Sequence, residues 1–198
     1  FYRGSRVRPV INEHCAEFKK RGDGEPYACF PHYGKEFMGR DTGQVFSRRP
    51  FLASFQSGEF DFSLLSSHVV YNSPSSPEEM ARILKPSFGV RDYKKLGIGA
   101  NKQTYARFAE SKIILEMMER LRRQYQEKDL IYVGDMNLEA SNQFWDTLFE
   151  ENFSGGKLYV SEPTTLTQSR FDVDDVPTKG HASNYDHFIL DPQQTRAC

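Results

Sequence analysis

Leu130-Ile131-Tyr132-Val133-Gly134-Asp135-Met136-Asn137 is an apolar run that stops at a glycine and is followed by two side chains able to hold a cation. Its four apolar residues, β-branched and aromatic members among them, suit a strand covered within a parallel or mixed sheet. Gly134 lets the backbone turn where burial ends. In an extended segment residues two apart point the same way, so the Asp135 carboxylate and the Asn137 amide oxygen can converge on one hard cation or one phosphate. The same letters also spell a strand followed by an Asx turn. The choice between these readings lies in the rest of the chain.

Immediately upstream, Ile114, Met118, Leu121 and Tyr125 repeat at helical spacing, and Ile113 and Met117 widen the stripe, which predicts a helix from about Gln103 to Gln126. Lys112 with Glu116, Glu116 with Arg120 and Glu119 with Arg123 support its exposed side. Downstream, a short helix is expected over Asn142 to Glu150 with Ser141 as its N-cap. Helix, strand, loop and helix in this order indicate an α/β fold.

Further out, Phe51 to Phe55, a turn at Gln56-Ser57-Gly58 and a return over Glu59 to Tyr71 read as a hairpin, with Phe60, Phe62 and Leu64 alternating against polar neighbours. His68 falls where apolar packing resumes, and its position alone gives it no catalytic role. Residues 72 to 102 are read as a long excursion with a short helix near Pro77 to Ala81, and residues 11 to 45 as loop. Within that loop His14, Cys15, Cys29 and His32 have the residue types of a zinc site, although adjacent His14 and Cys15 make an awkward bite. A Cys15 to Cys29 disulfide or free thiols account for the pair equally well. The amino-terminal Phe1 to Val10 looks extended, with arginines at 3, 6 and 8 and a turn at Gly4-Ser5. At the other end Asn184-Tyr185-Asp186-His187 leads into an apolar strand on which Asp186 and His187, being adjacent, face opposite ways. Asn152-Phe153-Ser154 is a glycosylation sequon.

The 198 residues suit a single domain of residues 1 to 198. A composition of 38% hydrophobic and 27% charged residues excludes global disorder. Lys and Arg number 26 against 27 Asp and Glu, so any polyanion must be met by a local group of cations and not by an overall field. No apolar run is long enough to span a membrane. Three cysteines leave the redox compartment open.

Four stretches in this order, Phe46-Ser47-Arg48-Arg49-Pro50, Ser67-His68-Val69, Gly134-Asp135-Met136-Asn137 and Asn184-Tyr185-Asp186-His187, resemble the endonuclease/exonuclease/phosphatase superfamily. The Phe46 to Pro50 phrase looks closest to the deoxyribonuclease I branch. The resemblance implies a four-layer α-β-β-α sandwich of two mixed β-sheets flanked by helices. It also implies Mg²⁺-dependent phosphoester hydrolysis, with Mn²⁺ as a substitute. Carried over by position, His68 would be general acid or phosphate contact and Asp135 and Asn137 the metal or phosphate holders. Arg48 would neutralise phosphate, and Asp186 would orient a second histidine. His187 is assigned a structural role, and Arg49 stays beside Arg48 without one.

The family's amino-terminal asparagine and metal-binding glutamate would lie upstream of Phe1, and its Ser-Asp-His strand downstream of Cys198. On this reading the natural protein is longer, and the 198 residues alone are a weak or inactive catalyst. The expected activity is a monomeric DNA endonuclease, with Arg3, Arg6 and Arg8 contacting the backbone. A lipid or inositol phosphate phosphoesterase of the same fold and a non-catalytic binding member are the alternatives.

Overall fold

The computed structural model describes residues 4, 6–19, 24–97, 101–159 and 183–195. Arg3 lies outside them, as do residues 160 to 182.

The sheet is built around two long strands, β4 (Phe51–Ser57) and β5 (Phe60–His68), joined by a tight turn at Gly58. β5 pairs in parallel with β6 (Leu130–Asp135). A parallel partner requires a crossover, and here it carries α3 (Pro77–Phe88) and α4 (Lys102–Gln124). β6 then pairs antiparallel with β8 (Asp186–Leu190), whose other edge takes β7 (Lys157–Tyr159). The far edge of β4 is met by β3 (Ala28–Cys29), extended by β2 (Gly24–Glu25), and by β1 (Arg8–Pro9). The result is one mixed eight-stranded sheet in an α/β fold.

Leu52, Leu65, Tyr132 and Ile189 are register partners across four strands and are fully buried, forming one row of the helix-facing side. Against them pack α4, α3 and α5 (Phe144–Asn152) through Phe108, Met117, Leu84 and Trp145. Asn101 caps α4 by accepting the Thr104 N–H at 2.9 Å, and Ser76 caps α3 by accepting that of Glu79 at 3.1 Å. Strand alternation puts Phe51, Phe55, Phe62, Leu64, Val133 and Phe188 on the opposite side. There Phe51 and Phe188 are 41% and 44% exposed. The resemblance implies a second sheet over this side, and the described residues form none.

Several local expectations change. Residues 11 to 45 are not simple loop. They include α1 (Glu13–Phe18), capped by Asn12 accepting the Cys15 N–H, and α2 (Lys35–Met38), which ends at left-handed Gly39. Cys15 and Cys29 form a disulfide between α1 and β3. His14 is no metal ligand, since its Nε2 accepts the His32 N–H at 2.9 Å and its ring is wedged against Phe18 and Phe37. The helix expected near Pro77 to Ala81 continues to Phe88 with Pro86 inside its last turn, where the ring leaves the Arg82 carbonyl without its helical N–H. For α5 the N-cap is Gln143, without a side-chain bond, and not Ser141; Asn142 before it accepts the Phe144 N–H in an Asx turn at 3.0 Å. In β5 the buried alternation is that of Ser63 and Leu65, while Phe60, Phe62 and Leu64 take the half-buried side. Ser63 tolerates burial because Ser54 and Glu127 hydrogen-bond its hydroxyl at 2.6 and 2.8 Å. The sequon asparagine Asn152 is buried and hydrogen-bonded to Lys112 and to the Leu148 carbonyl, so it offers no acceptor at the surface.

Candidate active site

β5 and β6 run in parallel and end together, so their carboxyl ends open onto one rim, the usual ligand position of an open α/β sheet. The last residue of each strand and the first of β8 are register partners: His68 with Asp135, and Asp135 with Asp186. All three stand on the sheet side away from the helices, three residues from the buried row in each strand. His68 Nε2 lies 3.7 Å from Asp135 Oδ2, with side chains 52% and 35% exposed. A pair this open adds about 0–1 kcal/mol to stability, and carboxylates facing each other across an antiparallel ladder repel. The His68–Asp135 pair is therefore not explained by what it adds to stability.

Asn137 departs from the extended geometry expected for it. β6 ends at Asp135, and Asn137 adopts φ 51°. Its N–H donates to Asp135 Oδ1 at 3.0 Å, which is the Asx turn, and its Nδ2 donates to the Val69 carbonyl at 2.8 Å. The turn is therefore the reading the structure shows, and Asn137, buried and left-handed, does not share the extended face of Asp135.

Arg48 and Arg49 precede β4, whose first residue Phe51 is opposite Ser66, so both arginines lie at the His68 end of the sheet. Arg48 is exposed, and the guanidinium of Arg49 rests 4.5 Å from the Phe30 ring centroid. Arg8 does not belong to the site: it pairs with Gln56 at the opposite end of β4, about 17 Å away at strand rise, and its side chain bonds that glutamine at 2.6 Å. Arg6 precedes it, and Arg3 lies outside the described residues. His187 faces the helices, buried, with Nε2 2.7 Å from the Leu138 carbonyl and the ring edge toward Trp145. That contact ties β8 to the loop after β6.

Two residues absent from the sequence reading hold this rim. Glu110 is a buried carboxylate within the apolar stripe of α4, four residues before Ile114, and that interruption was the available signal. Its Oε1 accepts the Ser47 N–H at 3.0 Å, and the Val70 N–H also bonds the carboxylate. One turn earlier, Arg107 donates to the Tyr71 carbonyl through Nε and Nη2 and to the Asn137 carbonyl through Nη1. Burial pushes the Glu110 carboxyl up to about 7 against the opposing help of its backbone donors and Arg48. Burial likewise lowers His14 to about 4, with His32 adding to the effect.

These two shifts act on stability in overlapping pH windows with opposite signs. The folded His14 pKa lies below 6.5, so its contribution is present above that pH and lost as pH falls toward 4. The folded Glu110 pKa lies above 4.5, so the unfolded chain ionises first and stability is lost as pH rises from 4.5 to 7. Each window spans about 3 kcal/mol. Glu110→Gln should remove only the second. The stability of the variant relative to wild type, from urea unfolding, is expected to climb by about 3 kcal/mol between the ends of that window. A constant difference across this range would show that Glu110 ionises normally.

Asp135, Asp186 and Asn137 are hard oxygen donors, the kind that Mg²⁺ and Mn²⁺ prefer. Among the described residues no three His, Cys, Asp or Glu side chains gather to hold a metal. Mg²⁺ commonly takes one or two carboxylates and fills the remaining positions with water and substrate phosphate, so this donor set fits such an ion. No helix of the described residues is long and apolar enough to cross a membrane.

No protein-family model matches the sequence, and no curated protein matches it either. Solved structures do. A conserved protein of unknown function from Enterococcus faecalis V583 is 14% identical with a TM-score of 0.40, over 72% of this chain and 44% of its own. An endonuclease/exonuclease/phosphatase family protein from Bacteroides thetaiotaomicron is 14% identical with a TM-score of 0.35, over 72% of this chain and 41% of its own. D. rerio TDP2, solved with a single-stranded DNA product, is 12% identical with a TM-score of 0.39, over 98% of this chain and 73% of its own. The chain spans less than half the length of the first two. At these identities and scores the likenesses assign no chemistry, and the functional reading rests on the site itself.

Proposed function

We propose that the protein is a metal-dependent phosphodiester hydrolase, a DNA endonuclease of deoxyribonuclease I type. The observation that carries this reading is the single row His68, Asp135, Asp186 on one side of three adjacent strand ends. His68 supplies a proton donor for a leaving oxygen or a contact to the scissile phosphate. Asp135 sits within ion-pair reach of that ring, so one carboxylate oxygen steadies the imidazole while the other fixes the Asn137 turn. Asp135 and Asp186, with the Asn137 amide oxygen, would hold Mg²⁺ or Mn²⁺. Such an ion, when bound, polarises a phosphoryl oxygen and acidifies water.

Arg48 supplies a planar fork suited to two phosphate oxygens. DNA is favoured as substrate because Arg48 and Arg49 lie together at the rim of a chain whose net charge is −1, which concentrates its phosphate recognition there.

The test is nicking of supercoiled plasmid by the full-length protein. Nicking with Mg²⁺ or Mn²⁺, abolished by a chelator and restored by the added metal, is the expected result. Phosphate release from inositol phosphates without nicking would redirect the assignment to the other phosphoesters of this chemistry. Activity indifferent to chelation would remove the metal from the proposal.

A further inference from the structure

The site rim includes three loops: residues 46–50 carrying Arg48, residues 69–71 following His68, and residues 136–138 following Asp135. β-ladder pairing ends at His68, Asp135 and Asp186, so beyond that row the loops are fixed by other bonds. One is the Val69 N–H to the Asp135 carbonyl at 2.9 Å, and another is Asn137 Nδ2 to the Val69 carbonyl at 2.8 Å. Others converge on one face of α4. Arg107 reaches the Tyr71 carbonyl at 3.1 and 2.6 Å and the Asn137 carbonyl at 2.8 Å, its guanidinium lying 4.9 Å from the Tyr71 ring centroid. Glu110, one turn on, takes the backbone N–H groups of Ser47 and Val70.

We infer that Arg107 and Glu110 form a clasp that sets the mutual position of Arg48, His68 and Asp135. They are positioning residues that govern turnover more than substrate affinity. This inference rests on the hydrolase reading above.

The chemistry of the clasp fits the task. Backbone groups at a solvent-facing rim are readily satisfied by water, so a fold that merely needed them paired has no use for a buried charge there. Taking a carboxylate out of water is costly, and the second oxygen of Glu110 is buried without a hydrogen bond. What such partners add is geometric: the guanidinium fork spans two carbonyls from two loops at fixed angles, and the Glu110 carboxyl joins the third loop, through Ser47, to one of those two, through Val70. Neither residue points at the substrate side of the sheet. Both act on the backbone that carries the residues which do.

The experiment compares full-length wild type with Arg107→Lys, Arg107→Ala, Glu110→Gln and Glu110→Ala. Lysine keeps the charge and loses the fork. It should lower kcat by about 10–100-fold with KM within about twofold. Glutamine keeps an acceptor oxygen and should recover much of the activity lost by the alanine variant. Independently of activity, amide hydrogen exchange at Ser47 and Val70 should quicken by about tenfold or more in Glu110→Ala. Unchanged kcat in all four variants, with only the melting temperature lowered, would reduce the clasp to a structural brace and overturn the inference while leaving the hydrolase reading intact. Unchanged exchange at both amides would refute the clasp itself. A wild-type protein inactive on every phosphoester, with exchange altered as expected, would sink the hydrolase reading and the positioning role with it, leaving only the contacts.

Discussion

Asp135→Asn is expected to lower the rate of phosphodiester cleavage by about 10³-fold without weakening the fold. Asparagine retains an oxygen for the Asn137 N–H that Asp135 Oδ1 now accepts at 3.0 Å, so the turn after β6 survives. What disappears is the negative charge beside His68 and opposite Asp186. Losing one of two facing carboxylates relieves a repulsion, so the thermal midpoint should stay level or rise. A functional site held against the interest of stability gives this split, activity down and stability unharmed. Steady-state cleavage of plasmid and thermal unfolding, run on the same preparation, measure both halves. A rate within about threefold of wild type would remove Asp135 from the chemistry.

Gly134→Ala is expected to be worse for the molecule than any change at the site itself. A β-carbon at Gly134 would stand 1.9 Å from the Ser67 carbonyl oxygen, and that neighbour is backbone, unable to swing aside. Ser67 and Gly134 are register partners, and the next residues along are His68 and Asp135. The strands must part where the site begins. A loss of about 4 kcal/mol or more is expected, and activity should vanish even in whatever fraction stays folded. Gly58→Ala is the control. That glycine also has a positive φ, 62°, but nothing stands within 4 Å of the added carbon, so about 1 kcal/mol should be lost. Urea unfolding of the two variants separates the clash from the conformational cost they share. Equal losses would mean that β5 and β6 are not held together as closely as described.

The elements the sequence announces well are those whose signal is local. α4 shows its stripe, β6 its apolar run, and the β4–β5 hairpin its alternation around Gly58. α1 was hidden because six residues between glycines and prolines carry too little periodicity to register. The extension of α3 past Ala81 was hidden because Pro86 reads as a stop although it sits in the last turn. At the site, His68, Asp135, Asn137 and Asp186 could be singled out by type and order. That three of them form one row could not, because register between distant strands is set by packing across the sheet and not by neighbouring letters. The left-handed Asn137 departs from the extended pattern for a related reason: where a strand stops, its alternation no longer says where a side chain points. Arg107 and Glu110 act through backbone atoms of other segments, and only the polar interruption at Glu110 hinted at them.

The joins that make the rim are remote along the chain. Asn137 reaches Val69 across 68 residues, and His187 reaches Leu138 across 49. Contacts so distant can form only after long stretches have been brought together, at an entropic cost that local turns and helices do not bear. On refolding, the helices and the β4–β5 hairpin are therefore expected to form before the rim. A molecule caught with α4 formed but β6 unpaired would contain much of the secondary structure and none of the rim.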